Sequence, residues 1–234
     1  SGTAGQVRAA FHTEIHNLLV NGSPHIANMG DPRIPAALAP AISGIFSLHN
    51  FSPTPMYRLR DYTVPQGFFT SYLVGPGDVA TIYGANPLFR NGIAGQGQTV
   101  AVVEDSDLFN PADWTAFRST FGLSRFGGQL VTVNPPSSGQ NNCADPGANF
   151  DDIEAAIDAE YAGATAPSAT IEVAACAGSP TTFGGLIALE NLLNSTPPSI
   201  ISMSYGQCEA FNGAAANATF NAAFQQGVAE GVSI

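Results

Sequence analysis

Lysine is missing from the sequence altogether, and histidine does not occur after residue 49. Basic charge rests on seven Arg against eighteen Asp and Glu, for a formal net charge of −11. Without a basic stripe to meet phosphates, nucleic acid is excluded as a partner. The three cysteines (Cys143, Cys176, Cys208) show no C-x-x-C spacing, which argues against a zinc centre and leaves metal ligands unassigned. One disulfide with an odd thiol, or a partner outside the chain, would account for them. No apolar run reaches the roughly 18 residues a membrane-spanning helix requires, so a soluble protein without membrane contact is expected. No signal peptide is visible, and the first residue is Ser1 rather than Met, so removal of upstream residues is expected. Sequons at Asn21, Asn50, Asn194 and Asn217 matter only in a eukaryotic secretory pathway.

What remains is 44% hydrophobic over 234 residues, enough for one large domain or two smaller ones. Two regions differ in pattern. In the first, Val7, Phe11 and Ile15 share a helical face. Asn21-Gly22 separates two short extended runs as a hairpin turn does. Residues 31–48 read as a second helix, broken near Pro40. Residues 51–67 hold Pro53, Pro55 and Pro65 with little periodicity and read as a linker. From about residue 72, strands expected at 98–103, 129–133, 169–175 and 198–204 alternate with helices at 151–163, 182–193 and 214–230. Another helix after residue 110 takes Asn110 as its N-cap and Pro111 in its first turn. The alternation predicts an α/β fold, a parallel sheet with helices on both faces, whose ligands bind at the carboxyl ends of the strands. Val232-Ser233-Ile234 reads as the opening of a further strand, so the sheet is expected to be truncated here.

The stretch D-D-I-E-A-A-I-D-A-E (151–160) carries five acids and no Arg. Asp151, Asp152 and Glu154 are near the helix start, where the macrodipole favours negative charge. Asp158 has no such excuse, and on a helix it lies directly over Glu154. A solvated acidic face is the ordinary explanation of such a run.

V-A-V-V-E-D-S (100–106) resembles the first core strand of subtilisin-like proteases. A Ser-His-Asp site would need a histidine beyond residue 49, and there is none. E-A-A-I-D (154–158) followed by Tyr161 and A-P-S-A (166–169) resembles the signature of the sedolisins, the serine-carboxyl peptidases, close to the kumamolisin type. I-S-M-S-Y-G-Q-C-E (201–209) and G-I-A-G-Q-G-Q-T-V-A-V-V (92–103) are similar to that family's cleft strand and first core strand. A-F-H-T-E-I-H and I-P-A-A-L-A-P resemble its activation prosegment.

The resemblance implies a subtilisin-like fold preceded by a small α+β prosegment, with prosegment and linker at 1–63 and the first half of the catalytic domain at 64–234. It implies Glu154 as general base and then acid, Asp158 as its orienting partner, and Ser204, Tyr205 and Gly206 as the edge that pairs with substrate backbone. Tyr205 stands where the family usually has Trp. Glu209 matches a family acid of unassigned role. A glutamate can accept a proton in acid, where histidine is already charged. The implied protein is a secreted zymogen acting at acidic pH on peptides or proteins, with its own prosegment and a C-terminal half-domain as partners. The family's G-T-S-x-S nucleophile and its oxyanion aspartate have no counterpart here, so this chain is expected to be inactive alone. Calcium is expected only in the C-terminal part, and no other cofactor. Residues 1–63 carry a charge of +1 and residues 64–234 one of −12, so a prosegment that loosens as pH falls is expected.

Three other readings compete. A subtilase would use Asp105, but E-A-A-I-D stands where its histidine helix belongs. A non-catalytic module, a prosegment joined to a degenerate protease half, would bind or inhibit a peptidase. A dinucleotide site is disfavoured because G-I-A-G-Q-G (92–97) precedes its strand instead of following it.

Overall fold

The computed structural model describes residues 2–56, 65–66, 69–70, 74–137 and 142–234. Helix α1 (Ala4–Phe11) starts in a reciprocal box: Gln6 N donates to Thr3 Oγ1 at 3.3 Å, and Thr3 N donates to Gln6 Oε1 at 2.7 Å. Two of the donors that a helix start leaves open are thereby filled. His12, left-handed at φ 51°, ends the helix. Ile15 therefore does not extend the Val7–Phe11 face but opens strand β1 (Ile15–Val20). β1 pairs antiparallel with β2 (Ser23–Asn28) across Asn21-Gly22, whose φ values of 51° and 84° are those a two-residue hairpin turn demands. The expected second helix shrinks to a 3-10 segment, Ala36–Ala41, with Pro40 inside it. Proline offers no N–H and crowds the preceding turn, so α-helix does not propagate there. The expected linker contains β3 (Thr54–Pro55) and β4 (Pro65–Gln66), the latter paired with β5 (Phe69–Thr70); residues 57–64 and 67 lie outside the described residues.

Beyond come α2 (Pro76–Ile82), α3 (Asn86–Arg90), β6 (Thr99–Glu104), α4 (Ala112–Thr120), β7 (Gln129–Val133) and α5 (Asp152–Thr165). They are followed by β8 (Thr170–Ala175), α6 (Gly184–Leu193), β9 (Ile200–Ser202), β10 (Tyr205–Gly206) and α7 (Glu209–Glu230). Four strands form one parallel sheet in the order β7-β8-β6-β9, the expected α/β architecture. α4 begins one residue later than its proline suggests, with Ala112 N donating to Asn110 Oδ1 at 3.1 Å. α7 begins five residues earlier than expected, because a first turn at Glu209 is joined to the main helix across Gly213, at φ 74° and ψ 163°. Ser233 forms a parallel bridge with Ile200, so the final residues take up the sheet position beside β9.

β6 is apolar without alternation because both its faces are covered. Val100 and Val102 pack with Trp114 of α4 and with Ala155 and Ala159 of α5, while Ala101 and Val103 pack with Leu186 and Leu189 of α6. Alanines keep α5 close to the sheet. At Gly163 any Cβ would come within 3.0 Å of Trp114 Nε1, which donates to Ala159 O at 3.2 Å. Arg118 is buried beneath Trp114, its Nη2 donating to the carbonyls of Leu123, Phe126 and Pro167 at 3.0–3.1 Å.

From β6 the chain passes to β7 and β8 on one side, then crosses to β9 on the other. The carboxyl end of β6 is therefore the point where the winding reverses, and such a point opens a crevice for ligands. A disulfide between Cys143 and Cys176 ties the loop before α5 to the end of β8, and Cys208 remains exposed and free.

Candidate active site

The loop leading into α5 is fastened to the end of β6: Asn149 N donates to Ser106 Oγ at 3.1 Å, and Asn149 Nδ2 to Asp105 O at 2.7 Å. These bonds fix where α5 starts, and hence where its acids fall. Glu154 is 2% exposed, a buried carboxyl on the inner face of the helix. Asp158 lies one turn on, and its Oδ1 accepts from Ser204 Oγ at 2.8 Å. The solvated-face explanation of the acidic run thus fails for Glu154.

Sequence reasoning missed the third acid. Glu104, the last residue of β6, is fully buried and accepts the Tyr205 hydroxyl at Oε2, 2.9 Å away. Burial pushes its carboxyl well above the ordinary range, and the charges of Asp158 and Glu154 push it further. Asp158 is also raised by burial, but hydrogen bonds from Ser204 and Glu104 oppose the rise. Glu104 Oε1 and Asp158 Oδ2 find no other donor among the described residues. Of the two, Glu104 is therefore the acid that holds its proton more readily and Asp158 the one that more readily ionises. The signal in the sequence was a single charge ending an otherwise apolar strand, V-A-V-V-E.

The same Tyr205 hydroxyl lies 3.1 Å from Asp105 Oδ1. Burial and the neighbouring Asp151 raise Asp105 to about 6. Asp105 has no histidine beside it among the described residues, and the subtilase reading ends there.

Ser204, Tyr205 and Gly206 come together at this crevice, and their open edge is filled from within the chain. β10 pairs antiparallel with β3, Tyr205 opposite Pro55 and Gly206 opposite Thr54, and Met56 N donates to Ser204 O at 3.2 Å. The segment leading to β3 is anchored on the first turns of α7. Ile45 N donates to Ala215 O at 3.1 Å. Phe51 stacks on Phe211 at 5.4 Å and on His25 at 4.2 Å. His49, 4% exposed, is held by Asn212 O at 2.9 Å and by Phe51 N at 3.2 Å. Accepting from Phe51 N requires an unprotonated Nδ1, and burial pushes the ring below its ordinary 6.5. Among the described residues the ion pair is Glu14–His16, within the N-terminal region, and none joins that region to the sheet. Contact there is made by backbone bonds and aromatic rings.

No family model matches the sequence. Kumamolisin of Bacillus sp. (strain MN-32) is 30% identical to it over 244 aligned positions, which take in the whole of this chain and 42% of kumamolisin. The chain thus spans less than half the length of that relative. The parallel α/β sheet flanked by helices agrees with this similarity. The chain is similar to kumamolisin along its whole length.

Proposed function

We propose that the complete protein is a serine-carboxyl peptidase working in acid, and that residues 1–63 form its inhibitory prosegment. The observation that carries this reading is the buried Glu154 one turn from Asp158, itself bonded to Ser204 on the strand that residues 54–56 pair with. Glu154 takes the proton of a serine supplied by the C-terminal part of the protein and returns it to the leaving amine. Asp158 orients Glu154, and Glu104 supplies Asp158 with a shared proton. A carboxylate base can still accept a proton in acid, where histidine would already be protonated, and that makes acidic conditions workable for such a site. Peptide or protein segments bind as an added strand on Ser204, Tyr205 and Gly206, in place of residues 54–56. A secreted location fits the Cys143–Cys176 disulfide, since such bonds persist in oxidising compartments. Calcium, on the family resemblance, belongs to the C-terminal part, and no step here depends on it.

Peptide hydrolysis by the complete protein at about pH 4, near the ordinary glutamate range, is the test. Glu154→Gln should lower kcat by about 10²–10⁴, the usual worth of a positioned acid–base. An undiminished rate would overturn the assignment. The 234-residue chain alone should show no hydrolysis.

A further inference from the structure

Where residues 41–44 pass over α6 and α7 they leave a cleft of about 750 Å³. Ile42, Ser43 and Gly44 form one wall, and Glu190, Thr219 and Gln226 belong to the other. Among the described residues that line it, Glu190 alone carries a charge. It is half-buried, with no hydrogen bond or ion pair to its carboxyl among the described residues, and burial raises it. A carboxylate withdrawn from water without a counter-charge is costly. The remaining polar side chains of the cleft are neutral amides and hydroxyls, while Ile42, Ala222 and Ala223 give it an alkyl surface. A bare metal ion would need roughly six oxygen ligands, and one carboxylate in so wide a cleft does not gather them. An ammonium on a methylene stem matches both the carboxylate and the alkyl surface, and the sequence holds no lysine to supply one.

We propose that this cleft binds a small organic cation, a primary ammonium on an aliphatic stem, with Glu190 as its counter-ion. The ammonium donates to the Glu190 carboxylate and to Asn194 Oδ1, which accepts from Gln226 Nε2 at 3.3 Å and has a second lone pair. The stem lies against Ile42 and Ala222. One wall belongs to the N-terminal region and the other to helices packed on the sheet, so the ligand bridges them. Gly44 rests so closely on α7 that a Cβ would fall 2.6 Å from Thr219 N. The next residue, Ile45, donates to Ala215 O. A cation held by both walls therefore stabilises the docking of residues 45–56 and keeps Thr54–Pro55 paired with Tyr205–Gly206. Such binding requires no peptidase chemistry, and it holds or fails apart from the function proposed above.

Amide hydrogen exchange at Ile45 tests this in the 234-residue chain. Pentylammonium chloride is added at constant ionic strength and about pH 7.5, well above the ordinary carboxylate range. Exchange should slow saturably, by about tenfold when the ligand stands at about ten times its dissociation constant. Pentan-1-ol, of the same length but uncharged, should leave the rate unchanged. Glu190→Gln keeps the size of the side chain and should remove the response. Ala222→Arg keeps Glu190 but fills the cleft with a cation of the chain's own, and it too should make the rate insensitive to pentylammonium. The proposal is overturned by an absence of saturable slowing, by equal slowing with pentan-1-ol, or by a response that survives either variant.

Discussion

Glu104 keeps a proton in the folded protein that it would give up in the unfolded chain. Its carboxyl is raised by burial, so its contribution to stability is complete below the unfolded value of about 4.3 and is lost as pH rises toward the folded value. Glu104→Gln keeps a donor for Asp158 and an acceptor for Tyr205 while removing the titration. The melting temperature at about pH 4 should then stay within about 3 °C of the parent, about 1 kcal/mol for a chain of this size, and its decline toward neutral pH should be shallower. Parallel declines would take the proton away from Glu104. His49 works in the opposite sense. Its ring is lowered by burial, so docking of residues 45–56 on α7 is strongest above about 6.5 and weakens as pH falls through the lowered value. Faster amide exchange at Ile45 and Met56 below pH 6, lost in His49→Gln, is the expected result. His25, Cys208, Glu209 and, at the far end of α7, Glu230 are the other ionisable side chains on the elements around it, and a response that persists in His49→Gln would point to them.

Among the elements, the helices and strands whose signals are local were legible: α1, the Asn21-Gly22 hairpin, and the four sheet strands. Where long-range contact decides, the residues gave little warning. Ile15 has helical spacing with Phe11, yet a left-handed His12 and the ladder to β2 make it a strand residue. Thr54–Pro55 looked like linker because its partner, Tyr205–Gly206, is 150 to 152 positions away along the chain. The acid pair could be read from its spacing on one helix. Glu104 could not, since only the crossing of β6, α5 and β10 brings it to Asp158. Gly44 shows how tightly the N-terminal region fits α7: a Cβ there would fall 2.6 Å from Ala215 O. Gly44→Ala should therefore expose residues 45–56 to limited proteolysis and leave the sheet intact; unchanged cleavage would mean the segment is held elsewhere.

Over the whole molecule, charge and burial act together. Net charge is −11, and the carboxyls of Asp107, Asp151, Glu172 and Glu190 are raised chiefly by burial, as is Glu160, to about 7. Each binds protons more readily folded than unfolded, so stability should be greatest in acid and fall steadily toward neutrality. Thermal melts between pH 4 and 8 would read this directly, and a maximum near neutral pH would contradict it.

The bond between Cys143 and Cys176 has a topological result. It closes a ring spanning 33 positions of sequence, and α5, with Glu154 and Asp158, lies wholly inside that ring together with β8. Unfolding therefore cannot carry the two acids far from the strand they pack against, because the chain around them has no loose end. A ring of this size is worth about 4 kcal/mol by loop entropy. Refolding begins with α5 already leashed to the sheet.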